Sequence, residues 1–219
     1  LWYRKWAPVI NLAPRGLPKF YSDCTFSAFA IDDIPIPVGA SDAVLHKGPQ
    51  YAIVGEDFVK IRLNSDTVHT RRPSSDIVVS MGGKDYHNLT MAVVSALNND
   101  AMPVDMKIII GPLYPYEPEL RELIATSKTR TQILVNPADF ASQITDAQLG
   151  IFAAGITTYE ALCVGVPSLN VNLTRFHQLV TDELVGLGAA INAGNCDDLH
   201  ESPIVSIISD ILADVEGLD

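Results

Sequence analysis

From Asp76 onward, short apolar runs rich in β-branched residues alternate with amphipathic stretches of helical length. The runs are Ile77–Ser80, Met106–Ile110, Thr131–Val135, Leu149–Ala153, Ser168–Val171 and Ala189–Asn192. Most are continuously apolar, the pattern of strands covered on both faces. Helical patterning is predicted between and after them, over His87–Leu97, Pro118–Ser127, Pro137–Thr145, Thr158–Val164, Phe176–Leu187 and Ile204–Asp214. Such alternation predicts an α/β fold: a Rossmann-like, doubly wound parallel sheet with helices on both faces.

Residues 1–50 break the pattern. Pro8, Pro14, Pro18, Pro35 and Pro37 interrupt any long element, and only Thr25–Ile31 and Ala43–Leu45 have strand character. We expect an N-terminal arm or the remnant of a preceding domain over 1–50, and the Rossmann-like domain over 51–219. Trp2, Tyr3 and Trp6 suit either burial that anchors the terminus or a stacking platform for a base or sugar. No internal repeat is visible.

Charge narrows the function classes. Fifteen Lys+Arg against 26 Asp+Glu leave the 219-residue chain at −11, a field that disfavours nucleic acid as a partner. A small anion is still admissible, because backbone N–H groups at a helix N-terminus bind phosphate without net positive charge. Arg4, Lys5, Arg15 and Lys19 make the start basic, whereas no Lys or Arg follows His177. This is either solvated surface or a basic start packed near an acidic end. Cys24, Cys163 and Cys196 are odd in number, widely spaced and without a C-x-x-C pair, which fits a reducing, cytoplasmic setting. His46, His69, His87 and His200 are scattered, so no metal site is expected. No apolar run has the roughly 18–20 residues of a transmembrane segment, and Leu-Trp-Tyr-Arg-Lys-Trp lacks the apolar stretch of a signal peptide.

Three segments can carry chemistry. The strand ending at Ser80 runs into Met81-Gly82-Gly83-Lys84 and a helix opening near His87-Asn88. Paired glycines let backbone approach a ligand, the helix would offer unpaired N–H groups, and Lys84 could add charge; a diphosphate would suit it. The alternative is a tight strand-to-helix turn without a ligand. In the second segment, Ala154-Gly155-Ile156-Thr157-Thr158-Tyr159-Glu160, Thr157 and Glu160 have the T-x-x-E spacing of a capping box, with Glu160 reaching back to its own helix. Glu160 could equally accept hydrogen bonds from vicinal hydroxyls, as ribose presents, while Gly155 and the threonines approach phosphates. Spacing leaves both open. The third, Asn170 to Gln178, offers Asn172, Arg175, His177 and Gln178 for sugar hydroxyls.

Asp76-Ile-Val-Val-Ser-Met-Gly-Gly-Lys-Asp-Tyr-His-Asn-Leu-Thr90, Ile110-Gly-Pro112 and Ala154-Gly-Ile-Thr-Thr-Tyr-Glu-Ala-Leu-Cys-Val-Gly-Val-Pro-Ser168 resemble the C-terminal half of the PseG/SpsG-type sugar-nucleotide hydrolases. More distantly they resemble MurG-type glycosyltransferases of the GT-B fold. Tyr51 to Arg62 is similar to the stretch by which the chain enters that half. The resemblance covers roughly residues 25–195 and is most specific at the glutamate-bearing turn.

The resemblance implies an active site between two Rossmann-like domains, with the nucleoside diphosphate held by the C-terminal one. Gly82, Gly83 and Lys84 would then border the phosphates, Gly155, Ile156, Thr157 and Thr158 would sit by the diphosphate, and Glu160 would hold ribose. Asn172, His177 and Gln178 would face the sugar. His177-Gln178 stands where the hydrolases tend to carry Asn-Gln, and Ile156 and Lys84 replace small polar residues. The G-x-G-H-x-x-R turn that supplies the hydrolases' histidine is absent from the sequence, so we expect a missing N-terminal domain and assign no catalytic residue. The expected ligand is a UDP-sugar or related nucleotide sugar, in surface glycan biosynthesis, with no cofactor or metal. The alternative is a non-catalytic sugar-nucleotide-binding or protein-interaction domain of a larger biosynthetic protein.

Overall fold

A computed structural model describes residues 9–12, 23–28, 44–64, 75–99, 104–127, 129–198, 204, 206–208 and 210. The chain divides into two compact units, Leu1–Ile53 and Val54–Asp219. In the first, β1 (Ile10–Leu12), β2 (Cys24–Ser27) and β3 (Val44–Lys47) form a parallel three-stranded sheet in that order. Their register pairs Cys24 with both Ile10 and Val44. Phe26 and His46, opposite each other on β2 and β3, stack at 4.7 Å between ring centroids. β1, three residues long, was not anticipated from the sequence, because so short a run shows no periodicity. The N-terminal aromatics and the four basic residues of the start lie outside the described residues.

The second unit holds the expected sheet. In chain order it contains α1 (Glu56–Asn64), β4 (Ser75–Ser80), α2 (Leu89–Asn99), β5 (Asp105–Ile110), α3 (Glu117–Ala125), β6 (Arg130–Val135), α4 (Phe140–Thr145), β7 (Ala147–Ala153), α5 (Ile156–Cys163), β8 (Ser168–Asn172), α6 (Arg175–Gly186) and β9 (Ala190–Asn195). All six strands are parallel, in the order β6-β5-β4-β7-β8-β9. This is the doubly wound order in which the first strand sits centrally and the fourth returns to its other side.

Successive side chains of the strands feed two cores. Ile77, Val79, Ile108, Leu149 and Ile151 pack with Val93 and Leu97 of α2, Leu120 of α3, and Ile204 and Ile208. On the opposite face Val78, Ile109 and Phe152 pack with Phe58 of α1, Ile144 of α4 and Ala161 of α5. Strands buried on both faces account for the continuous apolar runs. Fully burying one such side chain stabilises the fold by about 1.5–3 kcal/mol.

The element boundaries are moved by backbone detail. α1 was not anticipated: only Phe58 of its nine residues is buried, too little to write an apolar stripe. α4 starts at Phe140 rather than Pro137, behind the positive-φ residue Asn136 and the N-cap Asp139. The last predicted helix is helical at Ile204, Ser206, Ile207, Ile208 and Asp210, and its remaining positions lie outside the described residues. Cys24, Cys163 and Cys196 are free thiols.

Candidate functional site

Because β4 leads to β5 on one side while β7 pairs with β4 on the other, the chain reverses direction of growth between β4 and β7. Crevices at the carboxyl ends of such strand pairs are where open α/β sheets bind ligands. Ser80 pairs with Phe152 and Ala153 with Val171, so the loops after β4, β7 and β8 leave the same edge of the sheet side by side.

The first loop projects Gly82, Gly83 and Lys84 into solvent. Gly82 has φ +88°, a conformation that favours glycine, and a Cβ on Gly82 or Gly83 would meet no atom within 4 Å. Lys84 Nζ lies 5.3 Å from the Tyr86 ring centroid, in cation–π range. The expected free N–H groups of the following helix are not free. α2 starts at Leu89, not His87, and the Asp85 carboxylate accepts from Leu89 N–H at 2.9 Å and Thr90 N–H at 2.8 Å. An acid of the chain itself thus occupies the place an external anion would take.

The second loop differs. α5 begins at Ile156 with Gly155 as N-cap, which has no side chain to offer, and no acid stands in its first turn. The N–H groups of Ile156 and Thr157 have no protein acceptor among the described residues. Two adjacent strand exits therefore carry one plugged and one open helix N-terminus. Ile156 is exposed, Thr157 half-buried, and Thr158 buried with its hydroxyl donating to Asn170 Oδ1 at 3.1 Å.

This helix start overturns the capping box. Thr157 lies inside the first turn rather than at the N-cap, so Glu160 has no reciprocal partner there. Glu160 Oε1 instead accepts from the N–H of Gly55, at 3.1 Å, across 105 residues of sequence. Gly55 leads into α1, since its carbonyl accepts from Phe58 and Val59. A Cβ at Gly55 would lie 3.2 Å from the same carboxylate oxygen, so glycine keeps the approach open. Burial pushes the Glu160 carboxyl above its ordinary value, and the Gly55 N–H partly offsets this.

The third segment is divided. Asn172 is 1% exposed; its Nδ2 donates to Asn192 at 2.9 Å and its Oδ1 accepts from Thr181 at 2.7 Å, so the predicted sugar contact is a joint inside the domain. His177 is also buried, with Nδ1 2.9 Å from the hydroxyl of Thr174, the N-cap of α6. Gln178 is half-buried and accepts from Arg175 at 2.8 Å.

Sequence reading missed the residues that shape the first loop. Tyr114 donates to Asn88 Oδ1 at 2.7 Å, and burial holds its hydroxyl above the usual tyrosine range. Gly111, at the end of β5, sits against the backbone of Gly83; a Cβ there would overlap the Gly83 carbonyl. The Ile110-Gly-Pro112 sequence was a signal for this close approach. Asp85, an acid just ahead of a helix, was a signal for the cap.

Comparison with known proteins adds two relatives. The chain is 25% identical over 171 residues to the spore coat polysaccharide biosynthesis protein SpsG of Bacillus subtilis, covering 77% of this chain and 49% of that one. It is 29% identical over 122 residues to the Methanocaldococcus jannaschii protein MJ1062, covering 55% of this chain and 25% of that one. Among solved structures it superposes on Acinetobacter baumannii MurG with a TM-score of 0.54 and 20% identity, over 87% of this chain and 53% of that one. Arabidopsis thaliana UGT89C1 gives 0.51 and 16%, over 81% and 45%. The fold, α/β with parallel sheets flanked by helices, is similar to that of GT-B glycosyltransferases. No protein-family profile matches the chain. The matches to the curated relatives span a quarter to a half of those proteins' length. Among the described residues no helix is long and apolar enough to cross a membrane, and no group of three potential metal ligands occurs.

Proposed function

We propose that the second unit is the nucleotide-sugar-binding half of a GT-B-like enzyme that takes a UDP-sugar and acts at its anomeric carbon, as a hydrolase or a glycosyltransferase, in surface glycan biosynthesis. The observation that carries this reading is the open N-terminus of α5 beside Gly82 and Gly83, where the strand order reverses. The diphosphate would accept from the N–H groups of Ile156 and Thr157, with Gly82, Gly83 and Gly155 allowing close approach and Lys84 adding charge. Thr158 acts from beneath by fixing the first turn of α5 to Asn170. A carboxylate has about four lone-pair positions, so Glu160 can keep Gly55 and still accept from ribose hydroxyls. His177 and Gln178 remain for the sugar side, and Asn172 is withdrawn to its structural role. Similarity to a protein named for spore coat polysaccharide biosynthesis supports the pathway class.

Calorimetric titration of the purified chain with UDP and with uridine, both in EDTA, tests the reading. UDP should bind at least tenfold more tightly than uridine, about the contribution of a single hydrogen bond to a charged group, with no help from Mg²⁺. Equal affinities, or binding that EDTA abolishes, would overturn it.

A further inference from the structure

We propose that Tyr114 is a positioning residue for the phosphate-facing loop, holding Gly82–Lys84 in place through Asn88. The proposal rests on the diphosphate reading of that loop. Between β4 and α2 the chain adopts positive φ three times: Gly82 at +88°, Asp85 at +39° and Asn88 at +53°. Only the first is glycine. For the other two, contact between Cβ and neighbouring carbonyl oxygen disfavours the conformation unless surrounding bonds enforce it.

Asp85 is enforced by its own carboxylate, bonded to two N–H groups of α2. Asn88 is tied at both ends: its N–H donates to the Asp85 carbonyl at 2.9 Å, and its side-chain oxygen accepts the Tyr114 hydroxyl at 2.7 Å. Tyr114 belongs to the turn that leaves β5, in which its N–H donates to the Gly111 carbonyl at 3.2 Å. Gly111 is the residue whose backbone abuts Gly83. One short turn thus presses the loop at Gly83 and ties it at Asn88, on either side of Lys84. Tyr114 is 7% exposed, and its ring packs edge-on to Tyr116 at 5.8 Å. Phenylalanine would fill that space without burying a hydroxyl, so the hydroxyl's place in the chain is its bond to Asn88.

The test removes that hydroxyl alone. Tyr114→Phe should weaken UDP binding about three- to tenfold while uridine binding stays within about twofold. Adding Asn88→Gly, which tolerates positive φ without the tie, should restore UDP affinity to within about twofold of wild type. Independently of any ligand, amide exchange over the loop of the full chain should quicken in Tyr114→Phe. Unchanged exchange, unchanged UDP affinity, or equal losses for UDP and uridine would overturn the positioning role. A wild-type chain that prefers uridine would instead sink the diphosphate reading while the exchange result still decides the loop.

Discussion

Glu160→Gln removes a charge and leaves an acceptor where the carboxylate oxygen stands. The Gly55 N–H bond at 3.1 Å can persist, and because Gly55 is exposed, water can replace it if it does not. Stability at pH 7 should therefore change by no more than about 0.5–1 kcal/mol in urea unfolding. Ligand binding should respond far more. If the second carboxylate oxygen serves ribose, charge-assisted bonds become neutral ones, a loss of about 1–3 kcal/mol or roughly 5- to 150-fold in Kd. Calorimetry with UDP and with 2′,3′-dideoxy-UDP separates the possibilities: the mutational loss should vanish for the ligand without hydroxyls. Equal UDP affinity of the two proteins would refute the ribose role and leave Glu160 as a brace for α1. The pH dependence carries a sign. Burial raises the native carboxyl above its unfolded value of 4.5, so its stabilising contribution is complete below that value and is lost as pH rises through the native one. Wild type should therefore lose stability relative to Glu160→Gln as the pH rises from below 4.5 through the raised native value.

Asp85→Ala should cost about 2 kcal/mol in urea unfolding, because it uncaps Leu89 and Thr90 and forces alanine into positive φ; a neutral result would mean that water caps α2 equally well. Asn172→Leu should cost about 2–4 kcal/mol by leaving Thr181 and Asn192 without their buried partner, yet leave the affinity for a UDP-sugar unchanged; weakened UDP-sugar binding in a folded variant would return Asn172 to the site. Gly111→Ala should destabilise by about 1–3 kcal/mol and weaken UDP binding, since its methyl must displace Gly83; wild-type values for both would mean the two loops are not in firm contact.

The sheet was legible because parallel strands sandwiched by helices leave continuous apolar runs, and Ile77–Ser80 or Met106–Ile110 needed only a residue or two at one end. Polar β8 could be read too, although Ser168, Asn170 and Asn172 are all buried, because Leu169 and Val171 alternate with them. What escaped was whatever depended on partners far along the chain. The spacing of Thr157 and Glu160 was a sound local signal, but helix start at Ile156 shifted the frame and Gly55 supplied the partner. No local pattern encodes a bond across 105 residues. Likewise Gly82-Gly83 announced an approachable backbone, whereas its support from Gly111 and Tyr114 came from the neighbouring strand.

The pairing of β4 with β7 has a consequence for how the molecule comes to exist. Ser80 ends one strand and Ala147 begins the other, so everything from α2 to α4 must be looped out before their edges meet. The entropy of closing a loop grows with its length, and contacts between distant segments form late and slowly. The crevice is thus assembled at the longest closure between paired strands of this sheet: β4, β5 and β6 can zip sequentially, but the open N-terminus of α5 reaches the Gly83 loop only when β7 docks. A nascent chain released before β7 has emerged would carry its glycine loop, braced by the turn after β5, without the α5 N-terminus that completes the crevice.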